Sequence, residues 1–499
     1  MQSKSILCKN ILAFILFGLM FKSVSQRAEA QYNFSLLHSF NHTDSSDGTN
    51  PLASVTLDSK GNLYGTTEAG GTYGNGTVFE IDTKGNFSLL HSFNAADISD
   101  GSYPFASVAL DSQGNLYGTT LNGGTYNAGT VFKIDTLGNF TLLHSFNVSE
   151  GYYPTASVTL DSQGNLYGTI PDGGPGGSDG SVYKIDSHGT FSLLHSFYIS
   201  DGAVPKTSVT LDSQGNLYGT TEEGGAYGYG TVFKIDTLGN FSLLHSFNNS
   251  DGSVPYAAVT LDSHGNLYGT TYSGGAYVYY GTVFKIDTLG NFSLVHSFNG
   301  SDGRYPEASV TLDSQGNLYG TTLGGGAYSN GAVYKIDSLG NFSLLHSFNG
   351  SDGNNPWDSV TLDNKGNLFG TTAYGGASEN GTVFELANNI TAPAVRYTYH
   401  GFVHRPGSHT FVQQVTITNA SGAALTGPFN LVISGLHSWV TLNNPKGTTD
   451  FTYPGSPYFT VGKSSLAVGA SITVTLSFND PSLKYISYTP TFIAGNGVP

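Results

Sequence analysis

The chain has 499 residues and a formal net charge of −16, and charged residues make up only 11% of it. An acidic chain of this kind is repelled by phosphate backbones and anionic lipid, so nucleic acid and membrane surfaces are excluded as expected partners. Glycine and tyrosine are abundant, and no stretch after the N-terminus has the 3.6-residue apolar period of a helix, which indicates an all-β protein.

The N-terminus has the pattern of a secretory signal peptide. Lys4 and Lys9 precede an apolar run of about eleven residues, which is shorter than the roughly 20 residues needed to span a bilayer. Ala28 and Ala30 are the small residues that a signal peptidase recognises, so we predict a signal peptide at 1–30 and a secreted mature chain. The single cysteine, Cys8, lies in that segment, so the mature chain is predicted to have no disulfide.

The rest of the chain is dominated by a tandem repeat. The sequence DSQGNLYGTT at 111–120 returns with small changes at 58–67, 161–170, 212–221, 262–271, 313–322 and 363–372. The motif L-H-S-F recurs every 50 to 53 residues. Each unit holds four short strand-like segments, which in the second full copy are 106–110, 115–119, 130–134 and 140–146. Four strands per repeat predict the blades of a β-propeller.

The two ends of the repeat region predict how the blades close. The region begins at 34–40 with a fourth strand that lacks its first three, and it ends at 356–386 with three strands that lack a fourth. A seven-bladed propeller over 31–387, closed by the N-terminal strand, removes the free sheet edges that an open solenoid would expose.

The C-terminal residues 388–499 have a different pattern. Alternating apolar stretches at 411–418, 429–433 and 470–478 are separated by turn residues. About 100 residues of short alternating strands predict an Ig-like β-sandwich.

The repeat unit resembles a known family. Its pattern P-x-A-S-V-T-L-D-S-x-G-N-L-Y-G-T-T-x-x-G-G, followed by G-T-V-F-K-I-D, is similar to the GloVer tandem repeat of bacterial "choice-of-anchor" secreted proteins, over residues 33–387. The resemblance implies export and propeller-like repeats, and it brings no settled activity or catalytic residue. Members often end in an anchoring segment, and the C-terminal TPTFIAGNGVP has no apolar tail of that kind.

One face of the predicted propeller is the candidate binding face. Because antiparallel strands alternate in direction, the second-to-third and fourth-to-first loops share one face, which we call the variable face because these loops differ between copies. The other face carries nearly constant D-x-x-G-N turns. Varied loops on a rigid scaffold are where binding residues usually lie.

Tyrosines and one acidic pair are the candidate ligand-binding residues of the variable face. The candidates are Tyr73, Tyr126, Tyr227, Tyr229, Tyr277, Tyr279, Tyr328, Tyr374, Glu222 and Glu223. Exposed tyrosines stack on sugar rings or anchor a protein partner. The regular recurrence of the tyrosine position favours the alternative, in which each ring packs on the neighbouring blade.

The fourth-to-first loops supply one acid each. These acids are Asp47, Asp100, Glu150, Asp201, Asp251, Asp302 and Asp352. A ring of oxygens suits Ca²⁺, but no dedicated calcium-loop spacing is present, so Asx turns made by these acids are the favoured interpretation and no cofactor is predicted. The L-H-S-F histidines are predicted to pack between blades and make a structural bond, since ring-equivalent positions do not converge on one metal.

We therefore predict a secreted, monomeric, non-catalytic binding or scaffold protein with a polysaccharide or a surface protein on its variable face. An extracellular glycan hydrolase or lyase that uses Glu222 or Glu223 is the alternative, and a purely structural repeat protein is the third. The G-x-S-x-G match at 176–180 has no following helix and does not predict a nucleophile.

Overall fold

The structure, a computed structural model, describes residues 32–44, 46–175, 179–388, 395–405, 407–421, 424–426, 429–443, 445–448, 456–461, 465–481 and 486–494. The signal peptide predicted at 1–30 and most of the G-x-S-x-G match lie outside these residues. All regular structure in the described part is β-strand, as the all-β prediction requires. None of the described residues forms a helix long and apolar enough to cross a membrane.

The chain divides into two compact units, one made of Phe34–Leu362 with Leu368–Glu385 and one that consists mainly of Leu386–Pro499. The first unit contains seven four-stranded antiparallel sheets that resemble propeller blades. We number the repeats by the prolines that precede their first strands, which are Pro51, Pro104, Pro154, Pro205, Pro255, Pro306 and Pro356.

The strands begin and end at equivalent positions in nearly every repeat. The first strands are Thr56–Leu57, Ala109–Leu110, Thr159–Leu160, Thr210–Leu211, Thr260–Leu261, Thr311–Leu312 and Thr361–Leu362. The second strands are Leu63–Thr67, Leu116–Thr120, Leu166–Ile170, Leu217–Thr221, Leu267–Thr271, Leu318–Thr322 and Leu368–Thr372. The third strands are Thr77–Ile81, Thr130–Ile134, Ser181–Ile185, Thr231–Ile235, Thr282–Ile286, Ala332–Ile336 and Thr382–Asn388. The fourth strands of repeats one to six are Phe87–Ser92, Phe140–Ser145, Phe191–Ser196, Phe241–Ser246, Phe292–Ser297 and Phe342–Ser347.

The seventh sheet takes its fourth strand from the N-terminus. Tyr32–Ser39 pairs with Thr382–Asn388, so the first strand of the chain completes the last sheet, as the complementary ends of the repeat region predict.

The first strands are shorter than predicted. Two residues of each pair in the ladder, as Ala109–Leu110 do, where five were expected. The preceding residues bond to the neighbouring repeat instead. Thr66 Oγ1 donates to the Ala106 carbonyl at 2.9 Å, and the equivalent bond recurs from every repeat to the next. In the seventh repeat Thr371 Oγ1 donates to the Ala53 carbonyl of the first at 2.8 Å.

Each hydrophobic cluster lies between two neighbouring sheets. Val78 and Phe93 of repeat one pack with Val108, Leu116 and Phe132 of repeat two. Phe40 and Val383 of the last sheet pack in the same way against repeat one. Since each sheet buries its faces against its neighbours, apolar residues at fixed positions of the repeat are sufficient to form the core.

The C-terminal unit has its own core between two main sheets. One sheet contains Val395–Tyr399, Val403–His404, Thr410–Asn419, Thr441–Leu442 and Ser471–Asn479. The other contains Phe429–Ser434, Gly447–Thr448, Pro457–Val461 and Thr489–Ala494. A two-stranded ribbon joins Leu425–Thr426 and Ser465–Leu466. Buried Ile417, Leu431, Leu476 and Phe492 are among the residues that form this core.

Candidate binding site

The two kinds of variable loop are paired in every repeat. In repeat one the ladder joins Gly48–Thr49 of the fourth-to-first loop to Ala69–Gly70 of the second-to-third loop. A second ladder joins Gly101–Ser102 to Asn122–Gly123. Single bridges take the same place in the other five repeats. These pairs place both variable loops on one face, as predicted.

The histidine and serine of the L-H-S-F motif bond to the variable loops. Each histidine Nε2 lies 3.0 to 3.3 Å from the acid of its own fourth-to-first loop. In repeats two, four, five and seven the following serine accepts a bond from the second-to-third loop, as Ser145 Oγ does from the Thr125 amide at 2.8 Å. One strand end therefore positions two loops without using their variable side chains.

The histidines also pack between sheets, as predicted. Each ring stacks on a phenylalanine of the next repeat at centroid distances of 4.0 to 4.6 Å. His346 stacks on Phe34 of the N-terminal strand, and His38 of that strand stacks on Phe87 of repeat one. Burial lowers the pKa of His195 and His245, and the adjacent aspartates oppose this shift.

The structure does not bring the seven loop acids together. Asp47, for example, accepts bonds from His38 and from the Asn41 and Gly48 amides. Within the described residues, no group of three or more acids, histidines or cysteines is placed to hold a metal ion. The Asx-turn interpretation of the acids was wrong in detail. The asparagine that follows L-H-S-F makes that turn, as Asn248 Oδ1 does with the Ser250 amide, while the acid accepts bonds from the chain before it.

The candidate tyrosines are exposed, and the favoured expectation that they pack on the neighbouring blade was wrong. The eight rings are 41 to 73% exposed. For Tyr73, Tyr126, Tyr227, Tyr277 and Tyr328 the preceding Gly-Gly pair explains why, since both glycines have left-handed backbones and turn the chain outward. At Gly225, with φ of 77°, an added Cβ would lie 2.5 Å from Thr231 Cγ2, so the turn requires glycine.

A left-handed residue precedes the proline in all seven repeats. These residues are Asn50, Tyr103, Tyr153, Val204, Val254, Tyr305 and Asn355, with φ between 55° and 62°. This conformation is unfavourable for β-branched residues such as Val254. Two backbone bonds hold it there: the Val254 amide donates to the Tyr229 carbonyl of the preceding repeat, and the Val254 carbonyl accepts from the Tyr272 amide. The strained residue directs the next segment of chain toward the centre of the unit.

The segments after the prolines meet around one cavity of about 570 Å³, which we call the central cavity. All seven repeats line it, each with the residues of its P-x-A-S segment. The side chain directly after each proline differs in every copy. The seven residues are Leu52, Phe105, Thr155, Lys206, Tyr256, Glu307 and Trp357.

A charged cluster forms one side of the central cavity. Lys206 Nζ lies 2.7 Å from Glu222 Oε2 and 5.1 Å from the centroid of the Tyr256 ring. The Tyr256 hydroxyl donates to Glu222 Oε1 at 2.8 Å. Burial, followed by the Glu222 and Glu307 carboxylates, raises the pKa of Tyr256, so its hydroxyl stays protonated at neutral pH and donates a hydrogen bond.

Glu307 lines the same cavity and, unlike Glu222, accepts no hydrogen bond from any of the described residues. Burial raises its pKa to about 7; the Lys206 ammonium opposes the shift and the Glu222 carboxylate adds to it. Burial also raises the pKa of Asp172, on the second-to-third loop of repeat three, and Lys206 and Glu222 act on it in the same opposite directions. Lys206 therefore pairs directly with Glu222 and acts electrostatically on two further carboxyls.

The structure separates the two acids that the sequence paired. Glu222 is partly buried against Lys206 and Tyr256, whereas Glu223 is exposed and pairs through its backbone with Ala203. Among the candidate residues, Glu222 alone therefore belongs to the cluster at the cavity, and the tyrosines form a separate exposed set on the same face.

The family predicted from the repeat is confirmed. A family model described as the Gloeobacter/Verrucomicrobia repeat matches residues 18–214 and 207–427. Since these matches cover most of the chain, the protein belongs to this repeat family. No curated protein sequence matches the chain.

Solved structures resemble the chain at low identity. PorZ, described as an essential surface component of the type-IX secretion system of Porphyromonas gingivalis, matches with 14% identity and a TM-score of 0.46, over 88% of this chain and 58% of that one. The chain thus spans less than two thirds of PorZ. XC5397 of Xanthomonas campestris, described as a gluconolactonase, matches with 13% identity and a TM-score of 0.36, over 71% and 89%. Puromycin hydrolase matches with 10% identity and a TM-score of 0.45, over 79% and 62%. At such scores the resemblance supports no argument about this chain.

The central cavity is the feature that sequence reasoning missed. Its lining comes from residues about 50 positions apart, so no local motif marks it. A signal was present nonetheless: the position after the proline changes in every copy, while the alanine and serine after it rarely do.

Proposed function

We propose that the protein is an exported, non-catalytic binding protein that holds an extracellular polysaccharide on the variable face. The observation that carries this proposal is the set of eight exposed tyrosines, six of which lie on loops that bond to the serine of an L-H-S-F strand end. Rigid, exposed rings stack on sugars at little cost in conformational entropy.

The architecture that we propose for this role is a closed seven-bladed propeller followed by an Ig-like sandwich. Three kinds of contact support closure, since the threonine bonds, the histidine stacking and the interfacial clusters all join the seventh sheet to the first. The sandwich is supported by the core between the two C-terminal sheets. The signal pattern at 1–30 supports export, and we propose that the mature chain is a monomer.

The test is binding of the chain from residue 31 onward to an array of extracellular polysaccharides, with Ca²⁺ and with a chelator. We expect saturable binding that the Tyr227→Ala/Tyr277→Ala variant loses while its melting temperature stays unchanged. Equal binding with and without chelator is expected, because each loop acid is already bonded within its own repeat. An empty array from folded protein would contradict the proposal and would turn the search to a surface protein as ligand.

A second candidate function is glycan hydrolysis or elimination at the central cavity. The observation that favours it is Glu307, whose pKa of about 7 makes it a proton donor at neutral pH beside the Glu222 carboxylate. Product release from a polysaccharide that stops in both Glu307→Gln and Glu222→Gln would establish this activity. A purely structural protein would neither bind a polysaccharide nor release a product from one.

A further inference from the structure

The central cavity has two chemically different sides. Bonds such as Thr220 Oγ1 to the Ala257 carbonyl join each repeat to the next, so residues of consecutive repeats are neighbours around the cavity. Lys206, Tyr256 and Glu307 come from repeats four to six, and Trp357, Leu52 and Phe105 come from repeats seven, one and two. One side is therefore charged and hydrogen-bonding, and the other is apolar and mostly aromatic.

The charged side already binds one ammonium group, that of Lys206. The group is held by a carboxylate at 2.7 Å and by the face of an aromatic ring at 5.1 Å. Carboxylates and aromatic faces are the two kinds of group that proteins use for organic cations. Lys206 is thus an internal example of the ligand chemistry that this side of the cavity accepts.

Glu307 offers a second carboxyl beside aromatic residues at the same cavity, and no ion pair joins it to a described cation. Its repeat lies between those of Tyr256 and Trp357, so a carboxyl stands between two aromatic residues that line the same cavity. Among the described residues, no side chain or backbone group donates a hydrogen bond to the Glu307 carboxyl. Burial of this carboxyl at the cavity wall disfavours its ionised form, which raises its pKa.

The charges around the cavity favour a cation over an anion or a neutral group. Asp172 and Glu307 each lie in the field of the Glu222 carboxylate, which opposes their ionisation, and of the Lys206 ammonium, which favours it. A ligand with one positive charge would bring the cluster closer to neutrality and give Glu307 its missing donor. The net charge of −16 attracts cations to the whole molecule.

From this arrangement we propose that the central cavity binds a primary amine carried on a ring, with the protonated amine at Glu307 and an apolar face of the ring against Trp357. A cavity of about 570 Å³ lies within the range of small-molecule sites. The site goes beyond the proposed polysaccharide binding, because it uses none of the exposed tyrosines. An amino sugar and an arylalkylamine share this chemistry.

The experiment is calorimetric titration of the chain from residue 31 onward at pH 8 with D-glucosamine and with 2-phenylethylamine, each compared with its N-acetylated form. We expect at least one amine to bind, and its acetylated form to bind at least tenfold more weakly, because acetylation removes the charge. Glucosamine binding alone identifies the source as an amino sugar, and phenylethylamine binding alone identifies an arylalkylamine.

The variants are Glu307→Gln and Trp357→Leu, with Glu223→Gln as the matched control. Glu307→Gln and Trp357→Leu are each expected to weaken amine binding about tenfold or more. Glu223→Gln makes the same charge change on an exposed carboxyl outside the cavity, so its effect should be less than twofold. Melting temperatures confirm that every variant is folded.

The proposal is overturned if folded wild-type protein binds neither amine, if the acetylated forms bind equally well, or if Glu307→Gln binds as wild type does. The Tyr227→Ala/Tyr277→Ala variant separates this site from the polysaccharide site. It should lose array binding and keep amine binding, and Glu307→Gln should do the reverse.

Discussion

The two faces of the repeat unit are held by different means. On the constant face each D-x-x-G-N turn bonds to itself: Asp236 accepts bonds from the Leu238 and Asn240 amides and from the Asn240 side chain. On the variable face the loops are held from outside, by histidine, serine and backbone groups of strands and of the next repeat. A turn whose own side chains make its hydrogen bonds requires those residues. A loop that is held by residues outside it can vary in sequence.

The largest expected effect comes from the unpartnered carboxyl at the central cavity. The pKa of Glu307 is about 7 in the folded protein, above the 4.5 of a free glutamate. Between these values the folded state binds more protons than the unfolded state, so the free energy of unfolding falls as pH rises through this range, by an amount on the order of 3 kcal/mol. Urea denaturation from pH 4.5 to 8 should show this component in wild type and in Glu223→Gln. An equal pH dependence in Glu307→Gln would contradict the prediction.

Breaking a constant turn should lower stability without changing ligand binding. Asp212 accepts bonds from the Gln214 and Asn216 amides, the Asn216 side chain and the Tyr218 hydroxyl. Asp212→Ala should therefore lose about 2 kcal/mol in urea denaturation. Ser213→Ala, at the exposed residue beside it, should change stability by less than about 0.5 kcal/mol. A large loss of ligand affinity in folded Asp212→Ala would show that the two faces are coupled.

Relieving the strain before the prolines should stabilise the variable face. Valine costs about 1 kcal/mol in the left-handed conformation, and asparagine, which stands at the equivalent positions Asn50 and Asn355, tolerates it. We expect Val254→Asn to raise the free energy of unfolding by about 1 kcal/mol and Asn355→Val to lower it by a similar amount. If both changes move stability in the same direction, strain at this residue is not their cause.

The smallest expected changes in stability are those of exposed side chains, and here the two faces should differ in ligand binding only. Tyr227 on the variable face and Leu238 on the constant face are both well exposed, at 62% and 85%. Tyr227→Ala and Leu238→Ser should each change stability by less than about 0.5 kcal/mol. Polysaccharide binding should weaken in the tyrosine variant only. Equal losses in both variants would remove the distinction between the faces.

Much of the fold could be predicted because the same pattern of strands and turns occurs in seven copies of the repeat. The period, the D-x-x-G-N turns and the complementary ends led to four strands per repeat and to an N-terminal strand in the last sheet, and the structure has both. The first strands were predicted too long, because alternating residues such as 106–110 look like a strand whether their carbonyls bond to the ladder or to a threonine of the next repeat.

The site was less predictable, for physical reasons. The outward turn of five of the tyrosines depends on two consecutive left-handed glycines before the ring, whose geometry the sequence allows but does not impose. The strained residue before each proline is held by bonds to the preceding repeat, which local propensity does not include. The meeting of Lys206, Glu307 and Trp357 depends on the arrangement of seven repeats around one cavity, so it follows from tertiary structure alone.

The strand pair Tyr32–Ser39 with Thr382–Asn388 has a consequence for folding kinetics. The first strand leaves the ribosome at the beginning of synthesis, and its partner follows about 350 residues later, so bringing them together costs about 5 kcal/mol of loop-closure entropy. Until then the nascent chain has an unpaired strand at one end and an unfinished sheet edge at the other. We expect the last sheet to form late and to set the folding rate, since pairings distant in sequence slow folding and leave edges open to aggregation. A chain closed in this way is therefore expected to stay incompletely folded until its final repeat has been released.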